Sequence, residues 1–94
     1  MILKNNESWT KPICPNEEDM KEFNDQVMKQ SIKEVYDALC EKGYNPNAQI
    51  VGFIMSGDPT YITTHKNARI IMSRMDRYEV LRVVLEDFFK ENKA

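Results

Sequence analysis

Two stop-and-restart signals, Gly43-Tyr44-Asn45-Pro46 and Gly57-Asp58-Pro59, bracket a short segment with hardly any polar side chains, and together they dictate a helical architecture. Gly43 suits the left-handed position that closes a helix, because without a Cβ it meets no clash there. Asn45-Pro46 reads as an N-cap followed by the first helical residue. The Asn side chain accepts a free backbone N–H, and Pro lacks the donor that this position would waste. Between the two signals Ile50, Val51, Phe53, Ile54 and Met55 leave almost no polar face, so this helix must be buried in its own core or in a partner. Gly52 in its interior costs about 1 kcal/mol relative to Ala, which close approach of another helix would offset.

The remaining periodicity agrees with this reading. Met28, Ile32, Val35, Tyr36 and Leu39 recur at three- and four-residue steps, the spacing of one helix face, with Asp25 as its cap and Gly43 as its end. A second helix spans about 46–56, and a turn covers residues 58–62. A third helix begins near His65, capped by Thr63 or Thr64, with Ala68, Ile71, Met72 and Met75 on its apolar side. Asp76 and Glu79 have capping-box spacing and open a last helix striped by Val80, Leu81, Val84, Leu85 and Phe88. The spacing leaves open whether the third and fourth helices are separate or one bent rod. No segment sustains two-residue alternation, so no sheet is expected. The fold class is all-α, a compact bundle of about four short helices.

Charge divides the chain. Residues 1–26 hold three lysines against six carboxylates, a net of −3, whereas the remainder carries +1 of the overall −2. An acidic, Asn-rich stretch containing Pro12 and Pro15 buries too little apolar surface to offset its ordering entropy. Residues 1–24 therefore read as a disordered acidic tail, with Trp9, Ile13 and Phe23 as weak docking points, and residues 25–94 as one helical domain. A chain of 94 residues supports one modest core, which dimerisation would reinforce. No apolar run approaches the ~20 residues of a membrane span, and the N-terminus has no continuous apolar stretch of the kind a secretion signal carries. Cys14 and Cys40 lack a CxxC pattern or a nearby His, so we read them as reduced cytosolic thiols.

Three constellations invite chemistry. Asp58, Thr63, Thr64 and His65 contain the residue types of a nucleophile–base–orienter set, but Asp58 precedes Pro in a turn and both threonines stand where a cap is needed. His65 reads as a first-turn polar contact or as packing against Tyr61. One His without clustered carboxylates makes no zinc or magnesium ligand set, and the three glycines lack phosphate-loop spacing, so neither metal nor cofactor is expected. Lys66, Arg69, Arg74, Arg77 and Arg82 against Asp76 and Glu79 form a basic face that a helical nucleic-acid-binding module would use. An acidic pI near 5.4 opposes a polyanion, and a solvated face paired with acidic neighbours is the plainer account.

The blocks VYDALCEKGYNPNAQIVGF, SGDPTYI, HKNAR and RYEVLRVVLEDFF, from about residue 35 onward, resemble the IreB family of small Gram-positive regulatory proteins. The matching residues are Gly43, Tyr44, Asn45, Pro46, Gln49, Gly52, Ser56, Gly57, Asp58, Pro59, Tyr61, His65 and Arg69. The resemblance implies a cytoplasmic, non-enzymatic helical homodimer. It also implies a substrate of a transmembrane PASTA-type Ser/Thr kinase and its cognate phosphatase. That family acts through a downstream protein in cell-envelope stress signalling and cephalosporin resistance. Family members carry phosphoacceptor threonines near the N-terminus, whereas this chain has NNESWTKPICPNEEDM there. Ser8 and Thr10, the only hydroxyl side chains in residues 1–30, are the phosphoacceptor candidates. Phe53, Met55, Val83 and Phe89 lie off the stripes assigned to the subunit core and are the expected dimer contacts.

Overall fold

The computed structural model describes residues 17–91, and within them every regular element is helical. Four α-helices follow in order: α1 (Glu17–Glu41), α2 (Pro46–Ser56), α3 (Ala68–Ser73) and α4 (Arg77–Glu91). Two short 3-10 turns, Pro59–Tyr61 and His65–Asn67, lie between α2 and α3. α1 starts at Glu17 rather than near Asp25. The physical reason is a set of partners that local composition does not reveal: Asp25 is gripped by Lys21 one turn earlier and by Arg82 from α4. Residues 1–16, including most of the expected tail and Cys14, lie outside the described residues.

The punctuation falls where the dipeptides place it. Gly43 has φ of 82°, and the chain closes α1 with paired bonds from Gly43 N to Cys40 O (3.0 Å) and Tyr44 N to Leu39 O (3.0 Å). This is the Schellman pattern, which satisfies two carbonyls that the helix end leaves open. Asn45 Oδ1 accepts from Ala48 N at 3.1 Å, and Pro46 opens α2. Gly57 closes α2 at φ 76°, with its N–H on Phe53 O at 2.7 Å. A Cβ at Gly57 would also stand 2.9 Å from the Arg77 guanidinium carbon, and Arg77 Nη1 donates to Ile54 O at 2.8 Å. Gly57→Ala combines the left-handed backbone penalty with displacement of this outside cap. It should cost about 1–2 kcal/mol, lowering the thermal midpoint by about 4–16 °C in a domain of this size. A midpoint within 2 °C of wild type would contradict both contributions.

The third and fourth helices are separate. Residues 74–76 break them, with Asp76 Oδ2 accepting from Glu79 N at 3.3 Å as an N-cap. Only half of the expected capping box forms, because the Glu79 carboxylate turns to Arg82 at 2.7 Å. The entry to α3 also departs from expectation. Thr64 makes no side-chain cap, Thr63 Oγ1 accepts from His65 N at 3.2 Å, and Lys66 and Asn67 both take positive φ (55° and 62°).

The core gathers Val35, Ala38 and Leu39 of α1 with Phe53, Ile62, Ala68, Met72 and Val80; Met28, Ile32, Ile50, Ile54, Ile71 and Met75 flank it. Two sequence expectations are corrected here. Phe53 and Val83, assigned to a partner, are 4% and 1% exposed within the single chain. Conversely Leu81, Val84, Leu85 and Phe88, assigned to the subunit core, are exposed, leaving Val80 as the one stripe residue turned inward. Both Val80–Val83 and Leu81–Val84–Leu85–Phe88 satisfy helical spacing, and spacing alone does not choose between them.

Candidate functional site

The residues that the sequence singled out converge on one junction, where α2, the two 3-10 turns and the start of α3 meet the end of α1. Gln49 Nε2 donates to Tyr61 O at 2.8 Å, and Arg69 Nε donates to Ile62 O at 2.9 Å, so two successive carbonyls of the turn are held by side chains from either side. A Cβ at Gly52 would stand 2.5 Å from the Tyr61 ring. The close approach anticipated at this glycine is therefore made by an aromatic ring of the turn rather than by another helix. Ser56 Oγ donates to Gly52 O at 2.7 Å and accepts from Asp58 N at 3.0 Å. Asp58 Oδ1 accepts from Thr60 N at 3.0 Å and Thr60 Oγ1 at 2.7 Å, and these bonds hold its carboxyl below the usual carboxylate range.

This arrangement builds a rigid joint. His65 Nε2 lies 2.8 Å from Glu41 Oε1, and Lys66 Nζ donates to Glu41 Oε2 at 3.0 Å, so one carboxylate clasps both residues to the end of α1. These bonds, led by the His65 contact, lower the Glu41 pKa. The Asp58 side chain is bonded to Thr60 and the His65 ring to Glu41, and Thr63 Oγ1 meets only the backbone N–H of His65, so the side chains that sketch a catalytic set do not pair with one another. Sequence reasoning missed Glu41, because its two partners follow it by 24 and 25 residues. Among the described residues no group of three or more His, Cys, Asp or Glu is placed to hold a metal ion.

The basic face does not present itself as a continuous surface. Lys66 is clasped by Glu41, Arg69 and Arg77 are bound to backbone carbonyls, and Arg82 sits among Asp25 (3.0 Å), Glu79 (2.7 Å) and Glu86 (3.0 Å). These contacts push the Arg82 pKa further above its ordinary value, the Asp25 bond contributing most. The same bond leads the lowering of the Asp25 pKa. A carboxyl with a depressed folded-state pKa contributes stability that is fully present above its unfolded value near ~4 and disappears as pH falls through the folded value. Urea midpoints should therefore hold from pH 7 to 5 and drop below pH 4. Asp25→Asn should show a shallower acid limb. An identical acid limb in the variant would remove Asp25 from the account.

Of the interface candidates, Met55 (79%) and Phe89 (59%) are exposed, and Phe89 stands one helical turn beyond the exposed Leu85 on α4. Cys40 is exposed and unbridged. Tyr44 and Tyr61 are partly open to solvent beside the two turns, while Phe53 on the intervening α2 is buried. Ser8 and Thr10 lie outside the described residues. No helix among the described residues is long and apolar enough to cross a membrane.

The fold and junction define a small all-helical scaffold whose signature residues serve backbone geometry. The chain belongs to the IreB regulatory phosphoprotein family, which matches residues 16–90 and so takes in all of α1 as well as the later motif blocks. A UPF0297 protein of Lachnoclostridium phytofermentans is 58% identical over 59 residues, covering 63% of this chain and 67% of its own length. A UPF0297 protein of Ruminiclostridium cellulolyticum is 56% identical over 64 residues, covering 68% and 72% respectively.

Proposed function

We propose that this chain is a non-enzymatic, cytoplasmic regulator that a PASTA-type Ser/Thr kinase phosphorylates on the residues ahead of α1, and that it works as a homodimer in cell-envelope stress and cephalosporin-resistance signalling. The observation that carries this reading is membership of a family of regulatory phosphoproteins over residues 16–90. The arrangement of the motif residues supports it, since their side chains are spent on caps and turn carbonyls rather than converging on a reactive centre. The exposed apolar face of α4 supports the dimer, because contiguous exposed apolar surface commonly marks an interaction site.

Ser8 and Thr10 are the acceptors this chain offers ahead of α1. Each phosphate would add ~1.5–2 negative charges to a segment that a partner reads by electrostatics. Treatment of the full chain with the kinase and ATP, read by phosphopeptide mass spectrometry, should place phosphate at Ser8 or Thr10. Modification confined to hydroxyls within residues 17–91, or none at all, would overturn this assignment. An affinity pull-down from native lysate with and without the kinase then identifies the downstream protein.

A further inference from the structure

The two halves of α1 are held differently. Val35, Ala38 and Leu39 of the second half are core residues, and Met28 and Ile32 pack against that core. Of residues 19–27, by contrast, every one but Asp25 is exposed, including the apolar Met20, Phe23 and Val27. An open cleft lies between the first half of α1 and the turn that joins α3 to α4, so Met20 and Val27 meet little packing on that side. The fastening of this half to α4 is ionic. Arg82 Nη2 donates to Asp25 Oδ1 at 3.0 Å, with both side chains largely buried, and Lys21 Nζ lies 3.9 Å from Glu86 Oε1. Each of these charges also has a partner within its own helix. Asp25 keeps Lys21 at 3.4 Å, and Arg82 keeps Glu79 at 2.7 Å and Glu86 at 3.0 Å. Parting a shielded ion pair is ordinarily opposed by the uncompensated charge it strands. Here parting strands none, so the contact can open without that penalty.

We propose that residues 17–27 are a local order–disorder switch, which unravels and re-forms as a unit on a folded remainder, with the Asp25–Arg82 bond as its latch. Unravelling, rather than swinging as a rigid arm, is the motion the sequence allows. α1 contains neither Gly nor Pro, so it offers no point at which a sharp kink would form. Phe23-Asn24-Asp25, in the middle of the unit, are three residues of weak helix propensity. Residues 17–27 alone are also shorter than the ~12–15 residues an isolated helix needs for even marginal stability in water. Re-forming is easy, because the second half of α1 already supplies the helical nucleus.

Opening has a consequence at the surface. It removes one wall of the cleft and widens access to Met28 and Met75, which line the cleft and pack against the core. The two states therefore differ in the apolar surface they present. A binder of that surface draws the population toward the open state by its differential affinity, and order–disorder of a segment is an established form of such a switch.

Native-state amide hydrogen exchange of the full chain, read residue by residue by NMR, tests this. In wild type the amides of residues 21–27 should exchange at least about tenfold faster than those of 32–40, yet several-fold slower than in an unstructured peptide. Arg82→Gln and Asp25→Asn each remove one charge of the latch. Both should speed exchange of 21–27 by about five- to tenfold and leave 32–40 at the wild-type rate. Asn24→Ala, at an exposed position outside the latch, should slow it about two- to threefold by favouring the helix. Equal exchange in the two halves of wild type, or acceleration of 32–40 in step with 21–27, would make α1 a single unit and overturn the proposal. So would wild-type exchange of 21–27 at the rate of an unstructured peptide, which leaves nothing for a latch to hold. Exchange that neither charge variant moves would remove the latch, and an unslowed Asn24→Ala would remove unravelling as the motion.

Discussion

Phe53→Ala should lower the stability of the fold by about 3–5 kcal/mol, the range for truncating a buried aromatic ring and leaving a cavity. Phe53 is 4% exposed and belongs to the cluster with Val35, Leu39, Ile62 and Met72, so its ring joins α2 to α1 and α3. A small domain has roughly 5–15 kcal/mol in total, and each kcal/mol moves the midpoint by about 4–8 °C. The expected loss is therefore at least ~12 °C, with a reduced urea midpoint and an unchanged slope. The shift should be the same at every protein concentration, because the cavity opens inside one subunit. A midpoint lowered by less than ~5 °C, or one restored by raising concentration, would return Phe53 to an intersubunit contact. Phe53→Glu is the harsher version, since it places an unpaired carboxylate where there is no water to solvate it.

Placing Phe53 required the structure, and the reason separates what was legible from what was not. Gly43, Asn45-Pro46 and Gly57-Asp58-Pro59 act through backbone dihedrals and bonds two to five residues long, so the sequence alone places α2 at Pro46–Ser56. Helix existence and the apolar side of α3 were legible for the same local reason. The inward face of α4 was not. Val80, Leu81, Val83, Val84 and Leu85 supply apolar residues around much of the helix, and which of them turn inward depends on where α1 lies. The start of α1 was hidden too, because Asp25 meets its guanidinium partner 57 residues away. Lys66 at φ 55° carries no local signature, since nothing in a lysine favours that conformation; its Nζ on Glu41 is a tertiary restraint. At the junction, the residue types were correctly singled out but their work was not. Arg69 reads as part of a basic recognition face, and Gln49 and Tyr61 only as motif residues, until the bonds of Gln49 and Arg69 to turn carbonyls, and the Tyr61 ring against Gly52, are in view.

Leu85→Glu should dissociate the proposed dimer while leaving the subunit folded. Leu81, Val84 and Leu85 stand at i, i+3 and i+4 on α4, and all three are nearly half exposed in the single chain. Apolar side chains at that spacing form one continuous stripe, which a helix from another subunit can cover. Pairs of identical subunits default to twofold packing, so one substitution enters the interface twice. At about 2 kcal/mol per disrupted central contact, the two copies cost ~4 kcal/mol, or roughly a thousandfold in the dissociation constant. Leu85 is 46% exposed, so the far-UV spectrum should be retained, in contrast to Phe53→Glu. Ile70→Glu, also on an exposed apolar side chain but on α3, is the control and should leave association intact if α4 forms the contact. Sedimentation equilibrium supplies the decisive mass. Wild type should approach twice 11.1 kDa at tens of micromolar, and Leu85→Glu should sediment at the single-chain mass. A wild-type monomer at that concentration would remove the dimer from the proposed function, and a Leu85→Glu dimer would move its contacts off α4.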